Sequence, residues 1–296
     1  MDPLVFALIA GAAILHVAWN VLLKTAGDPL RAAAIGMASG AAIIVPAAAI
    51  GWLLIGRPPI PGEAVVLGTV SGVLEAAYFA FLAAAYRRGD LSVVYPIARG
   101  TAPLLAVAVG IGILGEQLGP AGFAGVGALL VGLLALQRPW RFLRAAGRAD
   151  GDPAVAFAVA TGVMIAAYSA VDRVGSRLVE PWLYAGMIWV SGTAFLWIWV
   201  WITGRSHRFA AGSGLLDWRR AAIGGWITMA AYLLILFAFS VAPLTAVAPL
   251  RESAIVLASG WGTLRLGEGA DRSEVIRRIG ASTLVVVGAI LLALDG

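Results

Sequence analysis

The sequence predicts an all-α polytopic membrane protein: ten transmembrane helices arranged as two inverted five-helix repeats. Three observations predict it: a strongly apolar composition, ten apolar runs of membrane-spanning length, and short motifs that return in the second half in the same order. The 296 residues are 61% hydrophobic and 12% charged, about half the ~25% charged share of a soluble domain. Mean hydropathy is +0.92.

The runs fall at 4–23, 31–55, 64–86, 91–114, 119–137, 154–177, 182–203, 221–240, 244–264 and 279–294. Each is close to the ~20 residues that cross a ~30 Å hydrocarbon core as a helix. Breaks such as "KTAGDP", "GRPPIPGE", "RRGD", "GEQLGP" and "VEP" contain the Gly, Pro and charge that end helices. The opening "MDPLVFALIAGAAIL" has no basic n-region and no obvious cleavage site, so it reads as a first span rather than a signal peptide.

Charge fixes an expected orientation. Outside the spans' interiors, sixteen basic residues lie in loops after odd-numbered spans, and three, Arg57, Arg173 and Arg177, lie on the even side. The positive-inside rule then puts the odd loops in the cytoplasm and both termini outside, in the periplasm. The same loop arginines account for a sequence pI of 10.1 without nucleic acid. The segment "RPWRFLRAAGR" (138–148) reads as an amphipathic cytoplasmic linker against anionic headgroups. A single lysine, Lys24, within an Ala/Arg/Gly-rich composition fits a GC-rich bacterial genome and hence the inner membrane.

Composition also excludes chemistry. Cysteine is absent, which removes disulfides, thiolate ligands and thiol nucleophiles. The two histidines, His16 and His207, lie in different segments, so no metal site is expected. No P-loop or Ser-His-Asp set appears, and no cofactor is expected. "GEGADRSE" lacks the alternating oxygen ligands of a calcium loop.

The chain repeats itself. "AAY" occurs at 76–78 and 230–232, and "LLAL" closes span five at 133–136 and span ten at 291–294. Arg99 and Arg251 each lie seventeen residues before the glutamate of an "LGE", at Glu116 and Glu268. Ala18-Trp19 corresponds to Ala167-Tyr168. This divides the chain into a first repeat (1–137), a linker (138–153) and a second repeat (154–296). Five spans per unit is odd, so the second unit enters from the opposite face, as in many secondary transporters.

Two five-span units, each with a polar residue in its fourth span and "LGE" before its fifth, resemble the EamA-type branch of the drug/metabolite transporter superfamily. "HVAWNVLLK" (16–24) and "YRRGDLSVVYPIARG" (86–100) are similar to a bacterial exporter subgroup that includes YddG-like amino-acid exporters. The resemblance implies a central cavity lined by spans 1, 3, 4, 6, 8 and 9, and alternating access by rocking of the two units. Many members have cytoplasmic termini, whereas the charge count here puts them outside.

Candidate site residues are the polar and aromatic groups inside spans. Arg99 and Arg251 lie about eight residues into their fourth spans, ~12 Å deep at ~1.5 Å per residue. A guanidinium there is costly unless it faces protein, water or substrate. Either arginine could grip a carboxylate or phosphate, or form a buried ion pair that stitches the units together. Glu75, Asp172 and Glu252 are the candidate partners. His16, Trp19 and Asn20 share one helix face at i, i+3, i+4; His16 is a candidate proton carrier, or an interhelical hydrogen-bonding group. Glu75, Tyr78 and Phe79 share a face of span three, where a carboxylate suits a proton, a substrate amine or a salt bridge to Arg99. Tyr95, Tyr168 and Tyr232 complete the set, clasping substrate or merely packing. Asp172 and Arg173 are placed near a membrane face, where snorkelling is cheap.

Three further expectations are structural. Trp189, Trp197, Trp199 and Trp201 read as a lipid-facing belt and packing. "GMASG" (36–40) and "GTVSG" (68–72) have small-xxx-small spacing for close helix contact. Glu116 and Glu268 read as helix-start residues of spans five and ten. The functional expectation is a secondary exporter of small metabolites, amino acids foremost, with a proton as candidate coupling ion and the bilayer as environment. The alternatives are organic-cation or drug efflux, sugar-phosphate or nucleotide-sugar exchange, and, in a different class, an intramembrane enzyme.

Overall fold

A computed structural model describes residues 2–24, 28–89, 91–138, 153–203, 218–252 and 272–295. Its helices in chain order are α1 (Pro3–Lys24), α2 (Pro29–Leu54), α3 (Gly62–Tyr86), α4 (Leu91–Gly112), α5 (Pro120–Gln137), α6 (Pro153–Gly175), α7 (Pro181–Ile202), α8 (Trp218–Val241), α9 (Leu244–Arg251) and α10 (Arg272–Leu294). Each matches one expected span. The ninth helix ends at Arg251, and its span beyond Glu252 lies outside the described residues, as do the 139–152 linker and Glu268.

The punctuation in the sequence sets the boundaries. Helices α1, α2, α5, α6 and α7 each begin on a proline, which fits the first turn because its missing N–H would have no partner there. At α2 the Asp28 carboxylate accepts from Leu30 and Arg31 N–H at 3.0 and 3.3 Å, capping the free donors. Pro243 parts α8 from α9, having no N–H to continue the ladder.

Five helices, α2, α3, α6, α7 and α8, are long and apolar enough to cross a membrane, and α1, α4, α5 and α10 carry shorter apolar stretches. Their outer faces expose large apolar side chains such as Leu54, Ile113, Trp201 and Leu294, as a lipid-facing surface requires. This is a multi-pass membrane protein.

The extensive helix faces run between the first five helices and the last five: α1 on α8, α3 on α6 and α7, α2 on α7 and α8, α4 on α6 and α9, α5 on α10. Exchanging each helix with the one five places away maps α1–α8 onto α6–α3 and α3–α7 onto α8–α2, and leaves α2–α7, α4–α9 and α5–α10 unchanged. Two crossings make the correspondence atomic. A Cβ on Gly72 would strike Ser191 and the Gly192 backbone, and one on Gly225 would strike the backbone of Gly36. Both crossings join a glycine of one motif to a small residue of the other set, as the small-xxx-small spacing anticipated.

Two apolar clusters result, one around Trp19, Tyr184 and Trp189, the other around Leu129, Leu133 and Phe239. Of the four tryptophans expected as belt and packing, Trp189 is packing. It is 1% exposed, its indole against Gly40, whereas Trp197, Trp199 and Trp201 do face outward. Only the far end of α7 carries the lipid-facing tryptophans.

Candidate functional site

Among the described residues the buried charged side chains are Glu75, Arg99, Asp172, Arg251 and Glu252. All five were singled out by sequence, and they meet at one place. Removing charge from both water and lipid costs several kcal/mol per ion unless it is paired, so their grouping is the main polar feature of the fold.

One half of the group is cationic. Arg99 of α4 donates through Nη1 to both oxygens of Glu252, at 2.9 and 3.0 Å, and its Nη2 lies 2.8 Å from Nε2 of His16 on α1. Glu252 sits directly after α9, so this contact joins the fourth helix to the ninth. Of the three candidate carboxylates it is Glu252 that binds Arg99, and Glu75 does not. Arg251 is held more loosely. Its Nη1 is 3.4 Å from Ser169 Oγ, its Nε is 3.4 Å from Glu252 Oε1, and its guanidinium carbon lies 5.9 Å from the centre of the Tyr168 ring.

The other half is anionic. Asp172 of α6 accepts from Ser71 Oγ of α3 at 2.6 Å and from the Tyr232 hydroxyl of α8. It is 0% exposed, which corrects its expected snorkelling position. Glu75, one turn after Ser71 on α3, is 5% exposed, and its Oε2 has no hydrogen-bond partner. The Tyr232 side chain is its hydrogen-bonding neighbour, and Asp172 and Arg251 lie within electrostatic reach.

Aromatic rings connect the halves. Centroids are 5.8 Å apart for His16–Trp19, 6.2 Å for Trp19–Phe79, 4.8 Å for Tyr78–Phe79, 6.1 Å for Tyr78–Tyr168, 5.9 Å for Tyr168–Tyr232 and 5.3 Å for Tyr232–Trp189. Most of these contacts are edge-to-face, the geometry ring quadrupoles favour. Asn20 and Tyr95 belong to α1 and α4, but their side chains lie outside the described residues.

Ser71, Ser169 and Trp189 also belong to the site and were missed. Ser71 and Glu75 are i, i+4 on α3, a spacing that could have revealed the serine. Arg173 and Glu116 form a separate junction. Arg173 donates to Glu116 Oε1 at 3.2 Å and to the Phe239 carbonyl at 2.7 Å. Glu116 in turn accepts from the backbone of Leu244 and Thr245. Two expectations are corrected here: Arg173 is ion-paired rather than snorkelling, and Glu116 caps α9 rather than starting α5. The N-terminus of α5 takes its acid from elsewhere, Gly119 N–H donating to Asp295 at 2.9 Å.

The contributing side chains come from α1, α3, α4, α6, α8 and the end of α9, with Trp189 added from α7. Residues 152–294 match the model of the EamA-like transporter family. The match takes in just under half of the chain. It runs from the residue before α6 to the last residue of α10, one complete five-helix set. A solved crystal structure of another protein shares the fold over nearly the whole chain, aligning with TM-score 0.68 at 21% identity and covering 98% of this chain and 96% of that one. No curated protein matches. The matched family is one of transporters and not an enzyme family, which speaks against the intramembrane-enzyme alternative. A transported small molecule and a membrane are what the matched family implies.

Proposed function

We propose that this transporter exports small zwitterionic metabolites, amino acids foremost, from the cytoplasm. One observation carries the reading: buried charges of both signs stand beside a chain of aromatic rings between helices of both five-helix sets. A carboxylate meets a guanidinium, an ammonium meets a carboxylate, and an apolar or aromatic side chain meets the rings. The division into repeats at 1–137 and 154–296, inverted in the bilayer, supports alternating access around this site. A proton is the candidate coupling ion. The loop charges support an inner-membrane protein with cytoplasmic odd loops and periplasmic termini.

The deciding experiment is counterflow in proteoliposomes with labelled amino acids, a cationic dye and a sugar phosphate as separate arms. Exchange of amino acids with neither of the others supports the reading. Exchange of the dye alone makes the protein a cation-efflux carrier, and exchange of the sugar phosphate alone makes it an anion exchanger.

A further inference from the structure

The buried charges divide into satisfied and unsatisfied members, one of each sign in each class. Arg99 is saturated: Glu252 takes one terminal nitrogen with both oxygens, and His16 takes the other. Asp172 is saturated too, one hydroxyl on each oxygen. Arg251 is held less well. Its buried Nε makes no hydrogen bond and reaches Glu252 Oε1 only as a 3.4 Å ion pair, and its Nη1 reaches Ser169 Oγ at 3.4 Å. So is Glu75, whose Oε2 is buried with no partner. A buried polar atom without a partner costs free energy, and in a transporter that cost falls away when a ligand supplies the missing atom.

We propose that Arg251 and Glu75 are the two groups that grip the substrate, Arg251 its carboxylate and Glu75 its ammonium, while Arg99 and Asp172 act as positioning residues. This deepens the zwitterion reading and rests on it. Arg99 acts through Glu252, which it holds beside Arg251; Asp172 acts through Tyr232, whose ring packs on Tyr168. Tyr168 lies under the Arg251 guanidinium and against Tyr78, which is one turn from Glu75 on α3. A substrate spanning Glu75 and Arg251 lays its side chain on these tyrosines. Because Glu252 offsets one arginine already, the site presents a single net guanidinium to a single open carboxylate, a match for a zwitterion and a poor match for a dianionic phosphate.

Two measurements test the assignment. In proteoliposomes, Arg251→Gln and Glu75→Gln are each compared with the parent on an amino acid, its decarboxylated amine and its deaminated hydroxy acid. Arg251→Gln is expected to shift preference toward the amine by at least about tenfold, and Glu75→Gln toward the hydroxy acid by a similar factor. Arg99→Gln and Asp172→Asn are expected to slow all three substrates without reordering them. Reordering by Arg99→Gln or Asp172→Asn, with none from the other two, overturns the assignment. If the parent carries no zwitterion, the substrate reading itself has failed, which the three-arm counterflow detects separately.

The second measurement needs no known substrate. The chain has no cysteine, so single Glu75→Cys, Asp172→Cys, Arg99→Cys and Arg251→Cys variants report cleanly on a charged methanethiosulfonate reagent. Faster labelling at 75 and 251 than at 99 and 172 supports the assignment. The opposite order overturns it.

Discussion

The Glu116 carboxylate accepts the backbone N–H of Leu244 at 2.7 Å, so a residue of the turn before α5 caps a helix that begins 128 positions later. Its second oxygen accepts Thr245 N–H at 2.9 Å, and its first also takes Arg173 Nε at 3.2 Å. The junction thus links the first five-helix set to three helices of the second, α6, α8 and α9. It holds the start of the helix that carries Arg251.

Glu116→Ala removes a charged cap and leaves Arg173 without its acid. A lost cap costs ~1–2 kcal/mol, and breaking a largely buried pair costs ~3–5 kcal/mol. The expected result is a fall in thermal unfolding temperature in detergent, larger for Glu116→Ala than for Glu116→Gln, which keeps one acceptor. A double-mutant cycle with Arg173→Gln should show coupling. Additive effects would mean that the pair contributes nothing.

This junction marks where sequence reading stopped. Helix positions were legible because apolar runs of fixed length and Pro-Gly breaks are local signals, and the buried charges were legible because an ionisable group inside an apolar run demands a partner. Partner choice was not. Glu75, Asp172 and Glu252 were equivalent candidates for Arg99 because no sequence signal measures the distance between α4 and α9. Trp189 and Trp197 look alike in the same apolar helix, yet one faces α2 and the other faces lipid. Glu116 satisfied the local rule for a helix-start residue, and a tertiary contact to α9 took precedence over it.

Glu252 stands between two guanidiniums, and its removal should be among the most damaging single changes. Glu252→Gln leaves Arg99 and Arg251 buried with no acid between them, a cost of ~3–5 kcal/mol by analogy with broken buried pairs. Arg99→Met alone is also destabilising, since it frees Glu252. The double variant Arg99→Met/Glu252→Met should be more stable than Glu252→Gln, because it removes both members of the pair. Unfolding midpoints for the three proteins check the order, and a double variant weaker than either single would contradict it.

Tyr232→Phe keeps the ring between Tyr168 and Trp189 and deletes only the hydroxyl that donates to Asp172. A buried acceptor deprived of its donor costs ~1–3 kcal/mol. The expected outcome is a modest loss of stability and a lower transport rate, restored in part by Asp172→Asn, which removes the charge that Tyr232 served. Transport rate and melting temperature measured on the same preparations separate this from a general folding defect, in which Asp172→Asn would add to the damage.

The paired crossings at Gly72 and Gly225 predict a sharp contrast among glycines. A methyl group on Gly225 meets the Gly36 backbone of α2, and one on Gly72 meets Ser191 and the Gly192 backbone of α7. Backbone cannot rotate away as a side chain can, so α8 and α2, or α3 and α7, must separate along their length and lose packing that drives helix association in a membrane. Overpacking of this kind costs ~1–3 kcal/mol or more. Gly127 of α5 and Gly280 of α10 face open space, where alanine removes the ~1 kcal/mol propensity penalty of a helical glycine. Gly225→Ala and Gly72→Ala should therefore lower the unfolding temperature and the yield of folded protein, while Gly127→Ala and Gly280→Ala leave them equal or raised. Similar tolerance at all four positions would show that the two helix pairs do not pack as closely as their backbones imply.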